Sequence, residues 1–174
     1  MPFLPVREAV QTSVLARHWR HLWKSMPTLR IIDPWLLNWY CLKMMKRFVN
    51  YLVLFRDRIV PVDTCEIKFG AFVENTNYEP QVDLLIRYAL SCQARILKVE
   101  LDEENNSFGL DELPLISQHL MRLELSYVAL IGNFLDFSSC PALEVLWIKH
   151  CYIHGQKISS QSLKELTIID CIFF

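Results

Sequence analysis

Leu120-Met121-Arg122-Leu123-Glu124-Leu125, Leu143-Glu144-Val145-Leu146-Trp147-Ile148 and Leu163-Lys164-Glu165-Leu166-Thr167-Ile168 are three copies of one pattern, L-x-x-L-x-[LI]. A weaker copy, Ile96-Leu97-Lys98-Val99-Glu100-Leu101, sets the same apolar positions, so the copies begin at 96, 120, 143 and 163, at spacings of 24, 23 and 20. Self-similarity at this period is the signature of leucine-rich repeats. Side chains alternate along a strand, so the last two marked residues of each copy share one face of a short strand, and the first turns inward just before it. The intervening residues point outward, and Lys98, Glu100, Arg122, Glu124, Glu144, Trp147, Glu165 and Thr167 are the candidate contacts for a target. Trp147 is the expected anchor among them, because aromatic side chains are enriched among interface hot spots. Three residues beyond each copy come Val128, Cys151 and Cys171, small apolar residues suited to the inside of a turn. The exposed face of stacked repeats usually binds another macromolecule, so the pattern points to recognition rather than chemistry.

Upstream of the repeats, helical and strand patterns alternate. Val6, Ala9, Val10, Val14 and Leu15, continued by Trp19, Leu22 and Trp23, recur at spacings of three and four, which predicts a helical segment over 6–26 closed by Pro27. Leu29-Arg30-Ile31-Ile32 reads as a short strand. Leu42, Met45, Val49 and Leu52 form a second helical stripe ending near Arg58, which Met44, Phe48 and Phe55 extend as a core-facing surface rather than a membrane-lying one. Val62, Cys65, Ile67 and Phe69 resemble a degenerate repeat strand, and Val82, Leu85, Ile86 and Ala89 predict another helix. The expected fold class is α/β, a short leucine-rich-repeat solenoid preceded by a helical region.

Composition narrows the function classes. The chain has 174 residues, is 52% hydrophobic and carries a formal net charge of -1, so it can bury a substantial core and offers no basic surplus for neutralising nucleic-acid phosphates. No apolar run approaches the roughly 20 residues that span a bilayer, and Met1-Pro2-Phe3-Leu4-Pro5-Val6-Arg7-Glu8 lacks a basic region leading into an apolar one, so an intracellular protein is expected. Six cysteines, Cys41, Cys65, Cys92, Cys140, Cys151 and Cys171, include no C-x-x-C pair, and reduced, mostly buried thiols are expected. His150, Cys151 and His154 are close in sequence, but Cys151 takes the inward repeat position and tetrahedral zinc needs four converging ligands. Asp102-Glu103-Glu104 reads as a solvated loop, and Arg17, His18, Arg20, His21 and Lys24 as a solvated helix face. There is no G-x-S-x-G, G-x-x-x-x-G-K-[ST] or H-E-x-x-H, and only four glycines, so neither catalysis nor a cofactor is expected.

Leu4-Pro5-Val6-Arg7-Glu8-Ala9-Val10-Gln11-Thr12-Ser13-Val14-Leu15-Ala16-Arg17-His18-Trp19-Arg20-His21-Leu22-Trp23-Lys24-Ser25 resembles the second half of the plant F-box motif, which commonly reads L-P-x-R-E-A-V-x-T-x-V-L-S-x-R-W-R-x-L-W. With Asp63-Thr64-Cys65-Glu66-Ile67 and the repeats behind it, the whole chain resembles the plant F-box/leucine-rich-repeat family, many members of which end in an FBD domain. The resemblance implies a partial F-box over 1–27 holding its second and third helices, a connecting helical segment over 28–60 and leucine-rich repeats over 61–174, with no FBD segment. It further implies that Pro5, Val10, Val14, Leu15, Trp19, Leu22 and Trp23 face or support a Skp-type adaptor of a cullin complex, while the repeats hold a target protein for ubiquitin transfer. The resemblance thus implies a non-catalytic substrate-recognition subunit of an SCF-type ubiquitin ligase, and a cytoplasmic or nuclear protein with no nucleic-acid or membrane partner is expected. The sequence opens at the loop before the second F-box helix, and the alternatives are a ligase-independent interaction module or a nonfunctional fragment.

Overall fold

The computed structural model describes residues 22–33, 47, 49–57, 59–70, 82–103, 109–110, 115–155 and 157–174. The helix expected over 6–26 lies outside them except for a 3-10 turn at Leu22–Ser25, as do Pro5, Val10, Val14, Leu15 and Trp19. The described chain is α/β, with two parallel sheets and few helices.

The larger sheet has six strands: β1 (Thr28–Asp33), β2 (Thr64–Phe69), β3 (Ile96–Glu100), β5 (Arg122–Ser126), β7 (Val145–Lys149) and β9 (Glu165–Ile169), each pairing in parallel with the next in that order. A second parallel sheet orders β4 (Gly109–Leu110), β6 (Ala129–Ile131), β8 (Tyr152–His154) and β10 (Ile172–Phe173). Leu29-Arg30-Ile31-Ile32 falls within β1 and joins the same sheet as the repeats, so the sheet runs across the expected boundary at residue 60.

The register places Leu97, Leu123, Leu146 and Leu166 opposite one another, and likewise Val99, Leu125, Ile148 and Ile168. The first step pairs Ile96 with Arg122, an offset of 26 residues rather than the 24 read from the sequence, followed by 23 and 20. Ala94, fully buried like Leu120, therefore takes the place assigned to Ile96, whose own side chain belongs to the outward face. A shift of two residues keeps every side chain on its face, so hydrophobic periodicity alone does not separate the two registers.

One backbone device repeats where the strands begin. A single carbonyl ahead of a strand accepts two successive N–H groups from the start of the next. Pro27 O receives Asp63 (2.7 Å) and Thr64 (3.3 Å), and Arg95 O receives Met121 (2.8 Å) and Arg122 (3.1 Å). Met121 O receives Glu144 (2.9 Å) and Val145 (3.1 Å), and Glu144 O receives Lys164 (2.8 Å) and Glu165 (2.9 Å). At the other end, β5, β7 and β9 each leave through a left-handed residue: Tyr127, His150 and Asp170 have φ of 58°, 52° and 49°. This conformation disfavours L-residues by roughly 1–2 kcal/mol. It is held by N–H donation from Tyr127 to Lys149 O (3.2 Å) and from His150 to Ile169 O (2.8 Å), and by stacking of the Tyr127 and His150 rings at 4.8 Å.

The turn then delivers Val128 and Cys151 into the core, where both are buried, and Cys171 to a half-buried place. The Cys151 thiol donates to Lys149 O (3.1 Å) and, one strand back, to Leu125 O (3.7 Å); the Cys171 thiol repeats this with Ile169 O (3.3 Å) and Ile148 O (3.5 Å). Cysteine at this position therefore satisfies strand carbonyls while filling a small apolar site, and burial pushes the Cys151 thiol up to about 11, away from the reactive thiolate. The second sheet follows from these turns and was not part of the sequence reading.

A single apolar cluster runs from Met26 to Ile153. Residues 49–55 are helical (α1), and Val82–Ser91 form α2, which buries Val82, Leu85, Ile86, Tyr88 and Ala89. Val49 and Leu52 enter the core as expected, but Phe55 does not: it is 48% exposed and packs on Tyr51 with ring centroids 4.3 Å apart. The inward place one turn beyond Leu52 is taken by Arg56, only 3% exposed. Its guanidinium donates to the carbonyls of Met26 (2.8 Å), Asp57 (3.0 Å) and Val60 (3.1 Å), so one buried cation gathers the chain before β1, the end of α1 and the approach to β2. Beside it the Tyr88 hydroxyl donates to Leu52 O (3.4 Å), and burial pushes its phenol well above the ordinary value.

Arg56→Leu removes the donors for three carbonyls at once and is expected to lower unfolding free energy by about 2–4 kcal/mol, measured by urea denaturation. Burial, with Cys92 nearby, pushes the Cys65 thiol from 9.0 to about 12. Its folded-state pKa lies above the unfolded one, so its contribution to stability is intact below pH 9 and is lost as pH rises toward 12. Melting temperature in reductant is expected to fall across that window, and to fall less steeply for Cys65→Ala relative to its own value at pH 8.

Candidate protein-binding face

Alternation in the six-stranded sheet sends every second side chain away from the core, and these side chains form three rows across the strands. The middle row is Arg30, Glu66, Lys98, Glu124, Trp147 and Thr167. On one side lie Ile96, Arg122, Val145 and Glu165, and on the other Lys68, Glu100, Ser126, Lys149 and Ile169. Glu144 stands just ahead of β7. All eight residues expected to point outward thus border one continuous surface, and the sheet adds Arg30, Glu66, Lys68, Ile96, Val145 and Lys149 to it.

The charges on this surface are paired, mostly from strand to strand. Arg30 meets Glu66 at 2.8 Å, Lys68 meets Glu100 at 2.5 Å, and Glu124 receives both Lys98 (3.1 Å) and Arg122 (2.5 Å). Lys164 meets Glu144 at 2.7 Å. Each half-exposed pair is worth at most about 1 kcal/mol, so their effect is to fix side-chain positions rather than to hold the fold.

Trp147 is half-buried within this network. The Arg122 guanidinium carbon stands 3.9 Å and the Lys149 ammonium 4.6 Å from its ring centroid, and the indole N–H donates to Glu165 at 2.9 Å. Its ring and its polar atom are therefore already engaged, which differs from the open anchor that sequence reasoning pictures. Two grooves adjoin the network. One of about 330 Å³ lies at the N-terminal ends of the strands, with Ile96, Met121 and Val145 among its lining residues; one of about 180 Å³ is lined by Glu66, Lys98, Glu100, Glu124 and Ser126, and is mainly polar.

His150 and His154 are apart in role: His150 stacks on Tyr127 with its Nδ1 3.8 Å from Asp170, and His154 stacks on Phe174 at 4.5 Å. Among the described residues no group of three or more His, Cys, Asp or Glu side chains is arranged to hold a metal, and no helix is long and apolar enough to cross a membrane. Leu22 and Trp23 lie in the 3-10 turn, while the other expected adaptor contacts lie outside the described residues.

The described chain is a parallel sheet with one buried face, one ion-paired polar face and a strand for each L-x-x-L-x-[LI] copy. The chain is homologous over most of its length to plant F-box/LRR-repeat and F-box/FBD/LRR-repeat proteins. It is 26% identical over 168 residues to F-box/LRR-repeat protein At3g03360 of Arabidopsis thaliana, covering 94% of this chain and 32% of that protein. It is 28% identical over 172 residues to F-box/LRR-repeat protein At4g14096 of the same plant, covering 94% of this chain and 34% of that protein. The chain thus spans about a third of the length of these relatives. No protein-family model matches the chain, and no solved structure matches it significantly.

Trp147→Ala removes the cation–π contacts with Arg122 and Lys149 and the hydrogen bond to Glu165. Stability is expected to fall by about 1 kcal/mol. A thermal melt checks this, and a loss of several kcal/mol would instead place the indole in the core.

Proposed function

We propose that this chain is a target-recognition subunit of an SCF-type ubiquitin ligase, non-catalytic and acting inside the cell in the cytoplasm or nucleus. Its N-terminal segment docks on a Skp-type adaptor within a cullin complex, and its repeats, stacked as a short solenoid, hold a target protein on the outward face of the six-stranded sheet. The observation that carries this reading is homology across 94% of the chain to F-box/LRR-repeat proteins, together with a single polar face that six consecutive parallel strands build. The chain contributes binding energy and placement; ubiquitin transfer is left to the other subunits. Lys98, Glu100, Arg122, Glu124, Glu144, Trp147, Glu165 and Thr167 are the proposed target contacts, and Pro5, Val10, Val14, Leu15, Trp19, Leu22 and Trp23 the proposed adaptor contacts.

Titration of the purified chain with a plant Skp-type adaptor by calorimetry is expected to give one-to-one binding with a Kd of about 1 µM or tighter. Val14→Asp or Trp19→Ala is expected to weaken it by at least about tenfold without changing the repeat face. Absence of binding by the folded chain would separate it from the ligase.

A further inference from the structure

The groove at the N-terminal ends of the strands differs in charge state from the rest of the face. Most of the ionic groups of the face are engaged: Glu66 with Arg30, Glu100 with Lys68, Glu124 with Lys98 and Arg122, and Glu144 with Lys164. A ligand landing on the middle row has to displace these pairs or the two cations at Trp147, and it loses their energy in doing so. Arg122 and Glu144 also line the groove, but a ligand seated on its apolar side chains leaves their ion pairs in place. The groove's volume is about 330 Å³, its lining is mostly apolar, and Ile96, Met121 and Val145 are each half-buried there.

At its rim stands Arg95, exposed, with a hydrogen bond from its guanidinium to the Met121 thioether at 3.4 Å and, among the described residues, no ion pair. A thioether is a weak acceptor, so that guanidinium exchanges it for a carboxylate at little loss. The backbone beneath Arg95 is fixed: its N–H donates to Val62 O at 3.3 Å and its carbonyl receives Met121 and Arg122. Of the two acidic residues lining the groove, Glu144 is already neutralised by Lys164, which leaves exposed Asp63 as the single counter-charge.

We propose that this groove, rather than Trp147, is where the target is gripped, and that it takes an extended target segment carrying an apolar side chain with an Asp or Glu one or two residues away. The apolar side chain fills the space between Ile96, Met121 and Val145, and the carboxylate pairs with the planar fork of Arg95. The proposal rests on the target-binding reading above and names the chemistry of that target.

The test is selection of phage-displayed random 12-residue peptides on the intact chain, followed by fluorescence-anisotropy titration of synthetic copies of the enriched sequences. The expected result is an enriched apolar–acidic pair whose affinity falls at least about fivefold with Arg95→Glu and with Val145→Lys, at unchanged melting temperature. Replacing the acidic residue of the peptide by Lys is expected to restore binding to Arg95→Glu. Enriched peptides without an acidic residue, or insensitive to both substitutions, overturn the groove; if those peptides respond to Trp147→Ala, target recognition by the face survives at another place. A selection that enriches nothing overturns the groove and removes the support for target binding together.

Discussion

The register of the six-stranded sheet depends on a carbonyl that precedes a strand and accepts two N–H groups from the start of the next, a device present at four of its five strand-to-strand steps. Pro27, Arg95, Met121 and Glu144 all do this, and the bonds fall between 2.7 and 3.3 Å. A parallel ladder without hairpins has no tight turn to fix its register, so some local device must set where each strand begins against its neighbour. Sharing one acceptor between two successive donors does so, because a slip by one residue breaks both bonds. From that point the alternation of side chains is determined. Leu123, Leu146 and their partners go in, while Glu124, Trp147 and their partners go out.

The outward rows gain their order from the same constraint. Arg122 and Trp147 lie on adjacent strands and diagonal rows, which is why a guanidinium comes to rest 3.9 Å from an indole centroid. Glu124 meets Lys98 for the same reason, and Arg122 two residues back on its own strand. The left-handed residues Tyr127, His150 and Asp170 complete β5, β7 and β9 without glycine, and the strain at Tyr127 and His150 is shared through stacked rings and strand-to-strand N–H bonds. Arg56 does comparable work at the other end of the core, where three carbonyls converge on one guanidinium.

Much of this was legible in the sequence, and the reasons for the remainder are specific. The L-x-x-L-x-[LI] copies located β5, β7 and β9, and β2 and α2 matched their apolar patterns, because burial on one face imposes a period that the residues must obey. The step from β3 to β5 was read as 24 residues instead of 26, since both values leave the same side chains inside and Ala94 is too small to mark the first position. The second sheet escaped notice because two- and three-residue strands carry no measurable period. Arg56 was hidden by its charge: a pattern that counts only apolar residues passes over an arginine whose partners are carbonyls. Phe55, apolar yet outward, is the mirror of that error. Which side chains share the outward face is decided by pairing across strands, and Arg95 stands out only once the ion pairs of that face are drawn.

The most direct test of the account is the register between β3 and β5 in solution, read from backbone cross-strand nuclear Overhauser contacts in an isotope-labelled chain. The account requires contacts that place Leu97 beside Leu123 and Val99 beside Leu125, with Arg95 next to Met121. Contacts that place Val99 beside Leu123 and Leu101 beside Leu125 would mean a 24-residue step. That result would separate Arg95 from Met121 and contradict the face as described.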